Sequence, residues 1–172
     1  MVKSLKDRPL FEITLRKYEK PGELDEREVA KRMCLSLGLL QPGDSRDIII
    51  DILLALLKAS SQKIYVSSKE VENFVFKYRE QNKLPLSGIT PSNINRQLRR
   101  IKDTGIAERT EEGFRIREFL SLTEVFDEYF LPHVLDPLVE RIRTYLREAD
   151  RVFDISSNAE DREEEEKTEE QA

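Results

Sequence analysis

Side chains able to reach a phosphate or a base edge crowd into one short stretch of this 172-residue chain, positions 90–102. The stretch holds four cations (Arg96, Arg99, Arg100 and Lys102), no acid, and the polar residues Ser92, Asn93 and Asn95. Arginine and asparagine carry the paired groups that match guanine and adenine edges in the major groove, and arginine, lysine and serine bond phosphate oxygens. The chemistry these residues support is recognition of a nucleic-acid duplex, without bond-making.

Bond-making chemistry has little to stand on elsewhere. The chain has one histidine, His133, and one cysteine, Cys34. A metal site would therefore rest almost wholly on carboxylates, whose spacing here is that of solvated helix faces. No G-x-x-x-x-G-K-[ST], G-x-G-x-x-G or G-x-S-x-G run occurs. No nucleophile–base pair emerges, so neither an enzyme nor a cofactor is expected. Cys34 reads as a small buried apolar residue, and a single cysteine without an internal disulfide agrees with a cytoplasmic protein. His133, beside Pro132, is expected on a turn with a structural or exposed role.

The basic residues need a helix to present them. Ile94, Leu98 and Ile101 recur at spacings of four and three, one narrow apolar stripe. At about 100° per residue, Ser92, Asn95, Arg96, Arg99 and Arg100 turn to the other side. Thr90 is placed to cap this helix, Pro91 suits its first position and Gly105 suits its close. Residues 106–110 and 114–117 then alternate around Glu111-Glu112-Gly113, a hairpin carrying Arg109, Arg115 and Arg117 on its strands. Upstream, residues 45–60 form an apolar run that predicts a buried helix, and Ile64-Tyr65-Val66 a short strand. Ser67 or Ser68 caps a further helix reaching about Asn82, with Glu70 or Glu72 near its first turn and Val71, Phe74, Val75 and Tyr78 inward. Leu84-Pro85-Leu86-Ser87-Gly88 then breaks the pattern. The class is mainly α (α+β).

This order resembles the winged helix-turn-helix family, most closely its archaeal and bacterial transcription-regulator branch. The likeness rests on VSSKEVENFVFKYREQ as a positioning helix and on ITPSNINRQLRRIKDTGIAERTEEGFRI as recognition helix plus wing. Within the latter, the run Leu98-Arg-Arg-Ile-Lys-Asp-Thr-Gly105-Ile-Ala looks like the family's LxxLxxxGxI close, in which the glycine ends the recognition helix. It spans roughly residues 45–117; the longer 84–88 linker and the acidic tip Glu111-Glu112 depart from the usual pattern. The resemblance implies double-stranded DNA as partner and transcription regulation as function. Base contacts would come from Ser92, Asn95, Arg96 and Arg99, phosphate contacts from Arg100, Lys102, Arg109, Arg115 and Arg117, and Asn93 would also lie at the DNA-binding surface. The alternative is a winged-helix module that docks on protein in a transcription, replication or chromosome-organising assembly.

Beyond the hairpin, residues 122–131 predict an apolar-faced helix that Pro132 interrupts, after which Asp136 as N-cap and Pro137 in the first turn would open a second helix. Leu135, Leu138, Ile142, Tyr145, Ala149 and Val152 repeat at threes and fours, a short a/d seam that predicts a homodimer. At the other end, Phe11, Ile13 and Leu15 alternate as a half-buried strand, Lys3, Lys6 and Arg8 could form a basic arm, and residues 23–37 form a charged helix. The net charge of −5 is unevenly spread: residues 159–172 hold eight acids against Arg162 and Lys167, which leaves residues 1–158 at +1. Such a tail cannot bury enough surface to order itself, and it could compete with DNA for the basic helix. The expected divisions are 1–44 (N-terminal extension), 45–118 (winged domain), 119–155 (dimerisation helices) and 156–172 (disordered acidic tail). Charged residues at 37 % fit a thermophile's ion-pair-rich surface, and no apolar run is long enough to span a membrane.

Overall fold

A computed structural model describes residues 22–41 and 47–155. The expected N-terminal strand and basic arm, the 42–46 connection and the acidic tail lie outside these residues. The fold is mainly helical with one small antiparallel sheet: α1 (Glu26–Ser36), α2 (Ile48–Ser61), α3 (Ser68–Gln81), α4 (Pro91–Asp103), β1 (Ala107–Arg109), β2 (Phe114–Ile116), α5 (Leu122–Val125) and α6 (Asp136–Phe153). It forms two compact units that meet in sequence between Val134 and Leu135.

In the first unit α2 is the central element. Ten of its fourteen residues are buried, around its whole circumference, because Ile and Leu fill nearly every position from Ile48 to Leu56. It packs against α1, α3, α4 and β2. Each fully buried Ile or Leu there contributes about 1.5–3 kcal/mol, which makes α2 the main source of the unit's stability. The other helices lay one apolar stripe on it: Ala30 and Cys34 from α1, Val71 and Val75 from α3, Ile94, Leu98 and Ile101 from α4.

Local signals fix where these helices start. The Asp25 carboxylate accepts from the Glu28 N–H at 2.7 Å at the head of α1. Ser67 and Glu70 exchange side-chain-to-backbone bonds in a capping box before α3. Thr90 caps α4 through the Asn93 N–H, with Pro91 in the first turn. Gly105, at φ +83°, turns the chain out of α4 toward β1.

The sheet pairs Ala107 with Ile116 and Arg109 with Phe114. The expected strand at 64–66 shrinks to one bridge, Val66 with Phe114, bonded in both directions at 2.9 and 2.8 Å. The reason is local. The Ile64 N–H bonds the Ala59 carbonyl and Lys63 takes φ +53°, so the chain is still leaving α2 when it reaches the sheet. Gly113 makes this bridge possible: it has φ +145°, and a Cβ there would lie 2.8 Å from the Val66 carbonyl oxygen.

Two expectations about the chain after the hairpin are corrected. Pro132 does not interrupt the helix begun at α5; it sits inside a π-helical stretch, Phe126–Leu135, that also carries His133. Widening the turn moves the carbonyl four residues back away from the proline ring, which an α-helical turn would force into it. Asp136 is the first residue of α6 and not its cap, since Leu135 before it already has right-handed helical angles and no side chain caps the end. Val125 and Phe130 are buried, and the first compact unit runs as far as Val134.

The second unit is α6, eighteen residues with none buried. Its exposed apolar side chains include Leu138, Ile142, Tyr145 and Val152 from the expected seam, and also Val139, Leu146 and Phe153. Leu135 and Ala149 are half-buried.

Candidate nucleic-acid interface

Helix α4 separates its two faces cleanly. Ile94, Leu98 and Ile101 have no exposed surface and Gln97 is buried beside them. Ser92, Arg96, Arg99, Arg100 and Lys102 are exposed. The only acid on the helix, Asp103, lies 3.6 Å from the Lys102 ammonium.

The expected DNA-contacting residues divide by what already holds them. Arg99 makes no ion pair or hydrogen bond with any of the described residues. Arg96 is held only by the Asn93 amide oxygen, 2.8 Å from Nη2, so its charge remains uncompensated. The Ser92 hydroxyl lies 3.3 Å from that of Thr90, and the Asn95 amide donates to the Pro91 carbonyl at 2.8 Å. Asn93 is more deeply engaged. Its Nδ2 donates to the Gly88 carbonyl at 2.8 Å, and its Oδ1 accepts from Gln97 as well as Arg96. It therefore joins the 84–88 turn to the helix.

Arg100 departs from a freely presented cation. Its Nη2 donates to the Leu39 carbonyl at 2.7 Å and its Nη1 to Gln97 Oε1 at 2.8 Å, which ties α4 to the segment following α1.

The hairpin cations are mostly committed within the fold. Arg115 bonds Glu108 Oε1 at 2.6 Å and the Tyr65 hydroxyl at 3.1 Å. Its guanidinium also lies 5.2 Å from the Tyr65 ring centroid and 5.0 Å from that of Phe119. Arg117 donates to the Gly105 carbonyl at 2.8 Å and stands 4.5 Å over the Tyr129 ring. Burial alone would raise the Glu108 pKa, but the Glu118 N–H and then Arg115 hold it below the usual carboxylate range. Only Arg109 stays exposed, its guanidinium 5.6 Å from the Phe114 ring centroid.

What sequence reasoning missed is an ion cluster elsewhere in the first unit. Asp51 and Arg79 are buried at 0 and 3 % exposure. Arg79 Nη1 bonds Asp51 at 2.6 Å and Asp47 at 2.9 Å, and its Nε donates to the Pro85 carbonyl at 2.7 Å. Arg27 binds the same two aspartates from α1. Burial would lower the Arg27 pKa, yet its bonds to Asp51 and Asp47 outweigh that and raise it. For Asp47 burial would raise the pKa, and the bonds from Arg27 and Arg79 turn the shift downward. One cluster thus locks α1, α2, α3 and the turn that leads into α4. An acid in the middle of IIIDILLALL was the signal for it, since a lone buried carboxylate demands a cation.

No metal-holding group of three or more His, Cys, Asp or Glu occurs among the described residues, and no helix among them is long and apolar enough to cross a membrane. Burial pushes the Cys34 thiol up to about 12. Compared with known protein families, curated proteins and solved structures, the chain matches none of them.

Proposed function

We propose that this chain is a winged helix-turn-helix DNA-binding protein that regulates transcription and acts as a homodimer through α6. The observation that carries the reading is the exposed face of α4: Arg96, Arg99 and Lys102 face solvent with a single acid, Asp103, on the helix. In this reading α3 is the positioning helix, α4 enters the major groove and β1–β2 is the wing. Arg96 and Arg99, with Ser92 and Asn95, read base edges at a preferred site and rest on phosphates elsewhere along a duplex, while Lys102 and Arg109 hold phosphates throughout. Asn93, Arg100, Arg115 and Arg117 act chiefly as positioning residues, because their bonds within the fold fix α4 and the hairpin.

Fluorescence anisotropy with the full chain and a mixed-sequence duplex tests the reading. Binding that weakens steeply with salt, followed by enrichment of a preferred site in a selection, is the expected result. No binding even at low salt would sink it. A protein-docking module is the second reading, favoured by a wing on which Arg115 and Arg117 are internally paired and whose tip exposes Glu111 and Glu112. Under that reading the duplex would not bind.

A further inference from the structure

Helix α6 carries an apolar stripe with no buried residue, and the charges beside the stripe distinguish how a second copy would lie on it. Ile142, Tyr145 and Leu146 are 52, 67 and 60 % exposed. In heptad terms Leu135, Ile142 and Ala149 take position a, while Leu138, Tyr145 and Val152 take d. Val139, Leu146 and Phe153 fall at e, and Arg141 and Glu148 at g. In a parallel pair each g residue faces an e residue one heptad on. Arg141 would then rest against the partner's Leu146, and Glu148 against the partner's Phe153, two charges set on apolar neighbours. In an antiparallel pair g faces g and e faces e, so like meets its complement.

We propose that α6 pairs antiparallel with α6 of a second copy, in the register that sets Ile142 against the partner's Tyr145 and Leu138 against the partner's Ala149. In that register Arg141 meets the partner's Glu148, and two-fold symmetry repeats the ion pair at the other end. Val139 packs on the partner's Leu146 in the same reciprocal way. The cost in existing contacts is small: Glu148 leaves an exposed pair with Arg151 at 3.0 Å, and Arg141 a position 6.0 Å from the Tyr145 ring centroid. An eighteen-residue helix is ~27 Å long, and in this register the two N-terminal ends of α6 lie ~22 Å apart along the pair. This arrangement rests on the homodimer reading above and specifies it.

Single cysteines decide the direction in the full chain. Leu138→Cys and Ala149→Cys are oxidised mildly, each alone and as a mixture; wild type is the control, since Cys34 is fully buried and its thiol stays protonated. Antiparallel pairing predicts a disulfide-linked dimer in the mixture and none in either variant alone, because residue 138 lies ~16 Å along the axis from its own symmetry mate. Efficient cross-linking of each variant by itself would overturn the antiparallel arrangement and leave the dimer standing. A monomer at all concentrations by sedimentation would overturn both. Charge reversal reads the same geometry without cysteines: Arg141→Glu or Glu148→Arg weakens the dimer roughly three- to ten-fold, and the double reversal restores it. Failure of the double reversal to restore would contradict the register.

Discussion

Arg99 and Arg115 carry the same charge and face different tasks. Arg99 stands in solvent with no partner among the described residues, so its donors are available to a ligand. Arg115 is spent between Tyr65, Phe119 and Glu108. Replacing Arg99 by Ala should therefore leave the melting temperature unchanged and weaken duplex binding, with about one unit lost from the salt slope. Replacing Arg115 by Ala should cost about 2 kcal/mol in urea unfolding, with little change in affinity per folded molecule. A shared effect on affinity alone would place Arg115 at the ligand too. The difference was not visible in the sequence, where both read as exposed cations. Arg115 finds Tyr65 across fifty residues, and no local pattern records such a contact.

The helices were legible because their signals are local. Ser67 with Glu70 and Thr90 with Pro91 announce the starts of α3 and α4, and Ile94, Leu98 and Ile101 give the buried face of α4. The hairpin was legible for the same reason, through Gly113. The bridge from Val66 and the cluster of Arg27, Asp47, Asp51 and Arg79 were not, since they join residues far apart in sequence, and the π-helical accommodation of Pro132 leaves no mark in the residue pattern. Gly113 offers a test of the hairpin as a unit. An Ala there brings a Cβ within 2.8 Å of the Val66 carbonyl in a conformation L-residues avoid. Gly113→Ala should cost about 1–3 kcal/mol and speed hydrogen exchange at the Val66 and Phe114 amides, while the amides of α4 stay protected. Unchanged exchange at Val66 would show that the bridge contributes nothing to holding the hairpin.

The first unit closes around charge as well as around α2, and this gives it a pH dependence. Asp47 and Glu108 both have folded pKa values held below the ordinary carboxylate range by arginine and backbone partners. A depressed acid contributes stability that is present above its unfolded value of about 4 and is lost as pH falls through the folded value. Urea midpoints should hold steady from neutral pH to about 5 and drop below about 4; a midpoint rising on acidification would contradict the paired cluster. Function makes a separate demand, that a chain with net charge −5 still bind a polyanion through one face of one helix. The measurement that decides this is the slope of log affinity against log salt for a mixed-sequence duplex, for wild type and for the Arg96→Ala, Arg99→Ala double variant. Salt-steep binding by the wild type and a slope shallower by about 1–2 units in a folded double variant is the predicted result. Equal slopes and equal affinities, or no binding by the wild type, would contradict a DNA-reading α4.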